Sequence, residues 1–366
     1  MTVLIAVVVV AVVLAATYGV MTLYPAFGRK TPAEALHARS LASRYEHGKF
    51  VNAIPTSMSM GLKETYTTLR DFVKGNPNGR PKRTIHAVPW QYRGPFDHQP
   101  RIAWLGHSAL ILELDGKLLL LDPMLGRAPS PFPLIGGKRY ADRLPFEIDK
   151  LPQIDAVLIS HDHYDHLDYG SIKRLKAKVR RFFVPLGVGA HLERWGVERE
   201  RITECDWWEE ASFEGISLAC APARHFSGRS MLDRNAHLWC SWVISGGSAK
   251  IFFSGDSGYG PHFAEIGERY GPFDLTLMEC GQYDERWEAI HMVPEQTVQA
   301  HLDVRGGVLL PIHWGAFTLA VHDWTDPVER VLRAAKEKGV AVTTPRIGEA
   351  VSIGGETYPS DAWWKE

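Results

Sequence analysis

The chain has 366 residues, 45% of them hydrophobic and 23% charged, which is enough apolar mass for a large buried core. Its 41 basic residues stand against 42 acidic ones, a formal net charge of −1, so no global positive field exists to hold a polyanion, and a nuclease or nucleic-acid binder is disfavoured. The four cysteines, Cys205, Cys220, Cys240 and Cys280, form no C-x-x-C pair, which argues against a structural zinc knuckle and for small buried hydrophobes.

No charged residue occurs between Met1 and Gly28, and the apolar run from Val3 to Met21 is long enough to cross hydrocarbon. A cleaved signal peptide is the rival reading. It normally begins with a basic stretch, and none precedes Arg29. Residues 1–28 therefore read as an uncleaved membrane anchor. Arg29, Lys30, Arg39, Arg44 and Lys49 follow it, and the positive-inside rule puts the body on the cytoplasmic side, with a periplasmic body as the alternative.

Residues 29–100 read as a helical, then irregular, lead-in with a Gly- and Pro-rich breaker at 74–82. The globular body spans 101–355. Strand-like runs fall at 102–106, 110–114 and 118–121, the last two joined by the hairpin signal Asp115-Gly116. Others follow at 156–160, 182–184, 216–221, 239–244, 251–254, 275–278 and 308–312. Asp168 can cap a helix carrying Ile172, Leu175 and Val179 on one face. Pro294 opens a second helix, with Val298 and Leu302 on one side and Gly306 as its stop. Asp326-Pro327 opens a third, with Val328, Val331, Leu332 and Ala335 inward and Gly339 ending it. The fold class is α/β, an αββα sandwich of two sheets face to face with helices outside. The basic clusters 173–176 and 180–181 read as a solvated helix face. Trp207, Trp208, Trp239 and Trp242 read as core rather than as a lipid-facing patch.

The run His161-Asp162-His163-Tyr164-Asp165-His166 follows the apolar strand 156–160 directly. It holds three imidazoles and two carboxylates, the donors a borderline ion such as Zn²⁺ takes when its site must stay reactive. In extended chain His161 and His163 point the same way and can grip one ion, while Asp165 and His166 fall after the turn and can reach a second. Further donors belong at strand ends: His225 after 216–221, Asp256 after 251–254 in a Gly-rich turn, and His313 after 308–312.

These residues resemble those of the metallo-β-lactamase superfamily and, more specifically, of the N-acylphosphatidylethanolamine-hydrolysing phospholipase D family. The resemblance rests on Trp104-Leu105-Gly106-His107, the segment from Ser160 to Asp168, Asp206-Trp207-Trp208-Glu209, Ser254-Gly255-Asp256-Ser257-Gly258-Tyr259, Gly271-Pro272-Phe273-Asp274 and Ile312-His313-Trp314-Gly315. It implies a metallo-β-lactamase fold with two mixed sheets, and two zinc ions per chain. One ion takes His161, His163 and His225, the other Asp165, His166 and His313, and Asp256 bridges them. It also implies that His291 lies beside the metals and helps orient substrate or leaving group, which makes Asp165 and His291 the expected catalytic residues. The chain departs from the family around 278–285, where Glu279 and Cys280 make the region more polar and raise the question of a reactive thiol.

The expected activity is hydrolysis of a phosphodiester in an N-acylphosphatidylethanolamine-like phospholipid. Lactone or other small-molecule hydrolysis on the same scaffold is the alternative, since fold alone does not choose. A metal-free scaffold would show a degraded ligand set, and every ligand position here carries a competent residue. The expected partners are the phospholipid or small-molecule substrate and a membrane, with no nucleic acid.

Overall fold

The computed structural model describes residues 1–57, 61–94 and 99–366. Residues 58–60 and 95–98 of the expected lead-in lie outside the described residues. Two seven-stranded sheets form the body. The first runs, in spatial order, Ala350–Ser352, Arg101–Trp104, Leu110–Leu114, Lys117–Leu121, Ile154–Leu158, Val179–Pro185 and Ile202–Cys205. The second runs Ala341–Val342, Gly306–Ile312, Phe273–Glu279, Lys250–Phe253, Ser241–Ser245, Ile216–Ala221 and Glu210–Phe213. Both sheets are mixed: parallel pairs include Lys117–Leu121 with Ile154–Leu158 and Phe273–Glu279 with Gly306–Ile312, and antiparallel pairs include Leu110–Leu114 with Lys117–Leu121 and Ser241–Ser245 with Lys250–Phe253.

The two-residue period of a strand sorts the side chains between layers. Leu119 and Leu121, like Ala156 and Leu158, enter the cluster between the sheets, where they meet Leu218, Trp242 and Ile244. Leu118, Leu120 and Val157 face the other way and pack on Ile172, Leu175 and Leu192 of the helices Tyr169–Leu175 and Gly189–Arg194. A strand with both faces covered has no polar side, so its sequence reads as an unbroken apolar run. The second sheet is covered by His262–Tyr270, Pro294–Asp303 and Asp326–Lys338, whose Phe263, Val298, Val331 and Ala335 join the inter-sheet core cluster. Each fully buried leucine or valine contributes roughly 1.5–3 kcal/mol of transfer free energy before the cost of ordering is counted. The result is the αββα sandwich.

Several local expectations shift. Val179 is not the last turn of a helix. That helix ends at Leu175, and Val179 opens a strand in register with Ile154. Arg180 and Arg181 consequently stand on that strand rather than on a helix face, and Arg180 pairs with Asp155 at 2.9 Å. The strand expected at 239–244 is Ser241–Ser245, because Trp239 and Cys240 belong to the connection that crosses to Ser160. Gly306 does not stop a helix. It is the first residue of a strand, paired with Phe273, and Arg305 at φ 65° makes the turn. Leu302 consequently lies in the last turn and is partly exposed, at 39%.

The lead-in holds more structure than its composition suggests. It contains the helix Ala33–Arg39, the hairpin Arg44–Glu46 with Lys49–Val51, and the helix Leu62–Lys74. Leu36 and Phe50 enter the main core. The Asp206 carboxylate accepts the N–H groups of Leu41 and Ala42 at 2.7 and 2.8 Å, and Asn52 pairs with both backbone groups of His225. At the other end the core extends to Trp363 and Trp364, which pack around Trp314.

Thr2–Leu23 is one helix of 22 residues with no buried side chain and no charge, about 33 Å long at 1.5 Å per residue. By length and composition it is able to cross a membrane. Arg194 caps its last carbonyls, donating to Thr22 and Leu23 at 2.7 and 3.0 Å. Trp195 donates to Pro25, and the N–H of Arg29 to His191 Nδ1 at 2.9 Å, so the chain leaving the helix is fastened to the body.

Candidate metal centre

Parallel neighbours in each sheet end at the same edge. Leu121 is in register with Leu158, Phe253 with Leu277, and Glu279 with Ile312. The residues that follow these strands, and those following Ile216–Ala221, therefore collect in one crevice beyond the carboxyl ends, where open α/β sheets commonly bind ligands. His161, His163, Asp165 and His166 arrive from one sheet, and His225, Asp256 and His313 from the other.

Asp256 is the centre of this group. Its Oδ2 lies 3.0 Å from His313 Nε2, 3.1 Å from His166 Nε2, and 3.8 Å from both His161 Nε2 and His225 Nε2. The remaining imidazole, His163, brings Nδ1 to 2.9 Å from His161 Nε2 and 3.2 Å from His225 Nε2. Asp165 Oδ2 completes the far side, 3.4 Å from His313 and 3.5 Å from His166. Gly255 allows this approach. It sits at φ +56°, and a Cβ there would stand 2.7 Å from Cβ of Ser160 and 2.9 Å from the Cys240 carbonyl. All seven residues expected to bind metal thus converge, in two groups sharing Asp256.

The outer nitrogens explain why the inner ones are free to bind. His225 Nδ1 donates to the Ile290 carbonyl at 3.0 Å and His313 Nδ1 to the Gly281 carbonyl at 3.2 Å. His166 Nδ1 meets Asp122 Oδ2 at 2.7 Å. His161 Nδ1 lies 2.9 Å from the Ser160 hydroxyl, which itself donates to Asp122. A proton held on Nδ1 leaves the Nε2 lone pair pointing inward.

Charge balance points to a cation. Burial works against ionising Asp256 and Asp165, yet His166 and its neighbours hold both carboxyls well below their ordinary range. Burial, reinforced for His161 by His166, keeps His161 and His225 neutral. Burial acts against the His313 imidazolium, but Asp256, Asp165 and Glu279 together outweigh it and push His313 up to about 10. Asp256 Oδ1 is buried with no hydrogen-bond partner among the described residues. Against burial, Asp256 and Asp165 hold His166 and His313 protonated, and a divalent metal would take the place of those protons; two ionised carboxylates among converging imidazoles, with an orphaned oxygen at their centre, are a donor set suited to it. The groups His161–His163–His225 and His107–Asp165–His166–His313 could each hold an ion.

His291 lies at the rim. Its ring is 5.0 Å from that of His225 and 5.1 Å from that of His313. Its Nδ1 sits 2.8 Å from Glu279 Oε2, while Glu279 Oε1 accepts the N–H groups of Met292 and Ser257 at 3.0 and 3.1 Å. The polar departure at 278–285 therefore places a buried carboxylate behind His291. Cys280 takes no part. It is fully buried, it donates to the Ile312 carbonyl at 3.4 Å, and burial pushes its thiol well above the ordinary range, so it carries no reactive thiolate.

The supporting roles of three residues escaped the sequence reading. Asp122, which orients His166 and His161, follows a buried strand just as Asp256 does, and the same strand-end rule would have found it. His107 sits 2.8 Å from Asp165 and was visible only as part of a matching segment. Asp162, the alternate position of the histidine run, points away from the other ligands. It holds His237 at 2.9 Å, His191 at 3.2 Å and the N–H of Gly228 at 2.8 Å.

Comparison with known proteins agrees with this geometry. The family model of the β-lactamase superfamily domain matches residues 118–314. An uncharacterized protein of Mycobacterium tuberculosis is 42% identical over 344 residues, covering 91% of each chain. The N-acyl-phosphatidylethanolamine-hydrolyzing phospholipase D 1 of Caenorhabditis elegans is 32% identical over 264 residues, covering 67% of this chain and 74% of that protein. Among solved structures, the metallo hydrolase Igni18 of Ignicoccus hospitalis shares the fold at a TM-score of 0.52 and 21% identity, covering 69% of this chain and 97% of its own. The chain is a metal-dependent hydrolase of the metallo-β-lactamase superfamily, with N-acylphosphatidylethanolamine-hydrolysing phospholipases D among its relatives.

Proposed function

We propose that the protein hydrolyses a phosphodiester bond of a membrane phospholipid of the N-acylphosphatidylethanolamine type, releasing the headgroup alcohol and leaving phosphatidate. Two zinc ions would be held by His161, His163 and His225 and by Asp165, His166 and His313, with Asp256 between them. Bound there, they would supply Lewis acidity toward the phosphoryl oxygens and a water-derived nucleophile at neutral pH. The observation that carries the lipid reading is the uncharged Thr2–Leu23 helix, none of whose side chains is buried, fastened by Arg194 and Trp195 to the body that carries the site. The kinship with the phospholipase D of Caenorhabditis elegans supports it.

The chain's own groups then have defined tasks. Asp122 and the backbone carbonyls of Ile290 and Gly281 keep the imidazoles in the binding tautomer. Asp165, steadied by His107, holds its carboxylate toward His166 and His313. Glu279 fixes the Nδ1 side of His291, which leaves Nε2 to carry a proton toward the departing alkoxide. Membrane anchoring by Thr2–Leu23, with the body on the cytoplasmic side, belongs to the same proposal.

The test is direct. The purified full chain is loaded with zinc and incubated with vesicles containing N-acylphosphatidylethanolamine, then with a lactone, a β-lactam and a bis-aryl phosphodiester. Products are read by mass spectrometry, before and after chelation. Phosphatidate and N-acylethanolamine that vanish with chelator are expected. Turnover of the lactone with intact phospholipid would overturn the reading.

A further inference from the structure

We infer that two loops, residues 127–138 and 229–235, form a membrane-contact rim that seats in the interfacial layer of the bilayer and turns the mouth of the metal centre toward lipid. The inference rests on the reading of Thr2–Leu23 as a membrane helix and goes beyond it, because it assigns a lipid-binding surface to the catalytic body itself.

The tips of both loops are apolar and unusually open. Leu134 and Ile135 are 86% and 62% exposed, and Met231 and Leu232 are 87% and 52% exposed. Scattered exposed leucines need no explanation, but adjacent pairs on two loops flanking one point do. That point is the base of the apolar helix. Phe132 stacks on Tyr24 at 5.2 Å and meets Phe27 edge-on at 6.1 Å. Arg229 Nε donates to the Ala26 carbonyl at 2.8 Å, and Lys30 donates to the Leu232 carbonyl. Whatever layer receives the end of the helix also receives these tips.

The second tip is held in place. Asp233 Oδ1 accepts from the N–H of Ser230 at 2.7 Å and its hydroxyl at 2.8 Å, and from the N–H of Arg229 at 3.2 Å. This turn presents Met231 and Leu232 outward instead of letting them fold back. The two loops and the segment leaving the helix carry the exposed cations Arg29, Lys30, Arg127, Lys138 and Arg234, which suit anionic headgroups at the interface. Apolar tips on loops that also carry cations fit a bilayer surface better than the apolar face of a second protein.

Both loops are rooted in the metal centre. Tyr164, inside the histidine run, donates to the Arg229 carbonyl at 2.7 Å. Phe226 covers His163 with ring centroids 4.3 Å apart and lies beneath Arg234. The other loop ends at Arg139, whose guanidinium lies over Phe317, itself 5.5 Å from the His107 ring.

The test uses the full chain in vesicles of phosphatidylcholine and phosphatidylglycerol. The native cysteines are all buried, so a fluorophore reports a single introduced thiol. Leu134→Cys and Met231→Cys are compared with Leu302→Cys, which lies at the opposite end of the strands. Lipids carrying a nitroxide at the headgroup or shallow acyl position, and aqueous iodide, serve as quenchers. Tip labels quenched by shallow nitroxides and shielded from iodide, with the Leu302 label showing the reverse, are expected. Tip labels that behave like the Leu302 label overturn the inference. Tip labels shielded from both quenchers also overturn it, because they indicate a second copy of the chain. The readout needs no turnover, so it stands apart from the identity of the substrate. Where the phospholipid is cleaved, Leu134→Asp with Met231→Asp lowers the rate on vesicles at least tenfold and leaves a soluble phosphodiester unchanged. Equal rates on vesicles for variant and parent overturn the role of the rim in substrate entry.

Discussion

Asp122 and His166 meet at 2.7 Å in a pocket closed to solvent, and the same carboxylate reaches His161 through the Ser160 hydroxyl. One acid residue therefore sets the tautomer of two imidazoles that belong to different halves of the candidate centre. Asp122→Asn puts an NH₂ either against the Ser160 backbone N–H that Oδ1 accepts, or at Oδ2, where it meets both His166 Nδ1 and the Ser160 hydroxyl. The first sets two donors against each other in a buried pocket, and the second disturbs the protons that keep Nε2 free. Metal affinity should fall on the order of 10–100-fold while the fold persists. Metal content after dialysis against graded chelator, with far-UV circular dichroism as the control, reads this. Retention of metal at the parent's level would remove Asp122 from that role.

Asp256 and Cys280 make a matched pair of opposite expectation. Asp256 Oδ2 is shared by four imidazoles, whereas Cys280 is packed with its thiol protonated. Asp256→Ala, like His313→Ala or Asp165→Asn, should lower hydrolysis by roughly three orders of magnitude or more without unfolding the chain. Cys280→Ala should keep turnover and metal content, with a modest loss of melting temperature from the missing sulfur. A thiol-specific reagent that inactivates the folded enzyme through Cys280 would contradict this assignment.

Glu279 and His291 are separable by leaving group. If His291 protonates the departing alcohol and Glu279 only orients it, both matter most when the leaving group is a poor one. His291→Ala and Glu279→Gln should lower kcat on the lipid alkyl ester by about 10²–10⁴-fold and about tenfold respectively, with KM little changed. A 4-nitrophenyl phosphodiester, whose phenolate leaves unaided, should be nearly indifferent to both. Equal losses on the two substrates would mean that His291 binds or supports rather than donates a proton.

These residues also show which parts of the molecule the chain announces and which it conceals. The convergence of the candidate ligands was legible because each group of them follows an apolar run, and polar donors at a buried strand's end are a local signal. The two sheets were legible for the same reason, since Leu118–Leu121 and Ala156–Ile159 in one and Ile251–Phe253 in the other are continuous hydrophobic stretches. The supporting contacts were not. Asp162 with His237, Arg29 with His191, and Asn52 with His225 join positions far apart in sequence, and no periodicity encodes such a pair. The lead-in was misjudged on composition, since Leu36 and Phe50 are isolated apolar residues whose value depends on a groove formed by the body. Val179 and Gly306 were assigned by local pattern, and in each case strand pairing with a partner more than 20 residues away prevailed over the helix signal.

His301 offers a pH test well away from the metal centre. It sits in the last turn of Pro294–Asp303, is buried, and shares a hydrogen bond with the Thr276 hydroxyl at 2.7 Å. Burial lowers its pKa to about 4 from the ordinary 6.5. Above pH 6.5 the imidazole is neutral in both the folded and the unfolded chain, and its contribution is fully present. Between 6.5 and about 4 the unfolded chain takes up a proton that the folded chain refuses, so stability falls as pH falls, by roughly 2–3 kcal/mol over the window. Below about 4 this residue costs nothing further. His301→Gln titrates in neither state, so it lacks this slope. The variant should be less stable than the parent at pH 7, and the gap should narrow steadily as the pH is taken to 4.5. Denaturant melts of both proteins in the same detergent across that range measure it. A gap that stays constant with pH would show that His301 is protonated as readily inside the fold as outside it.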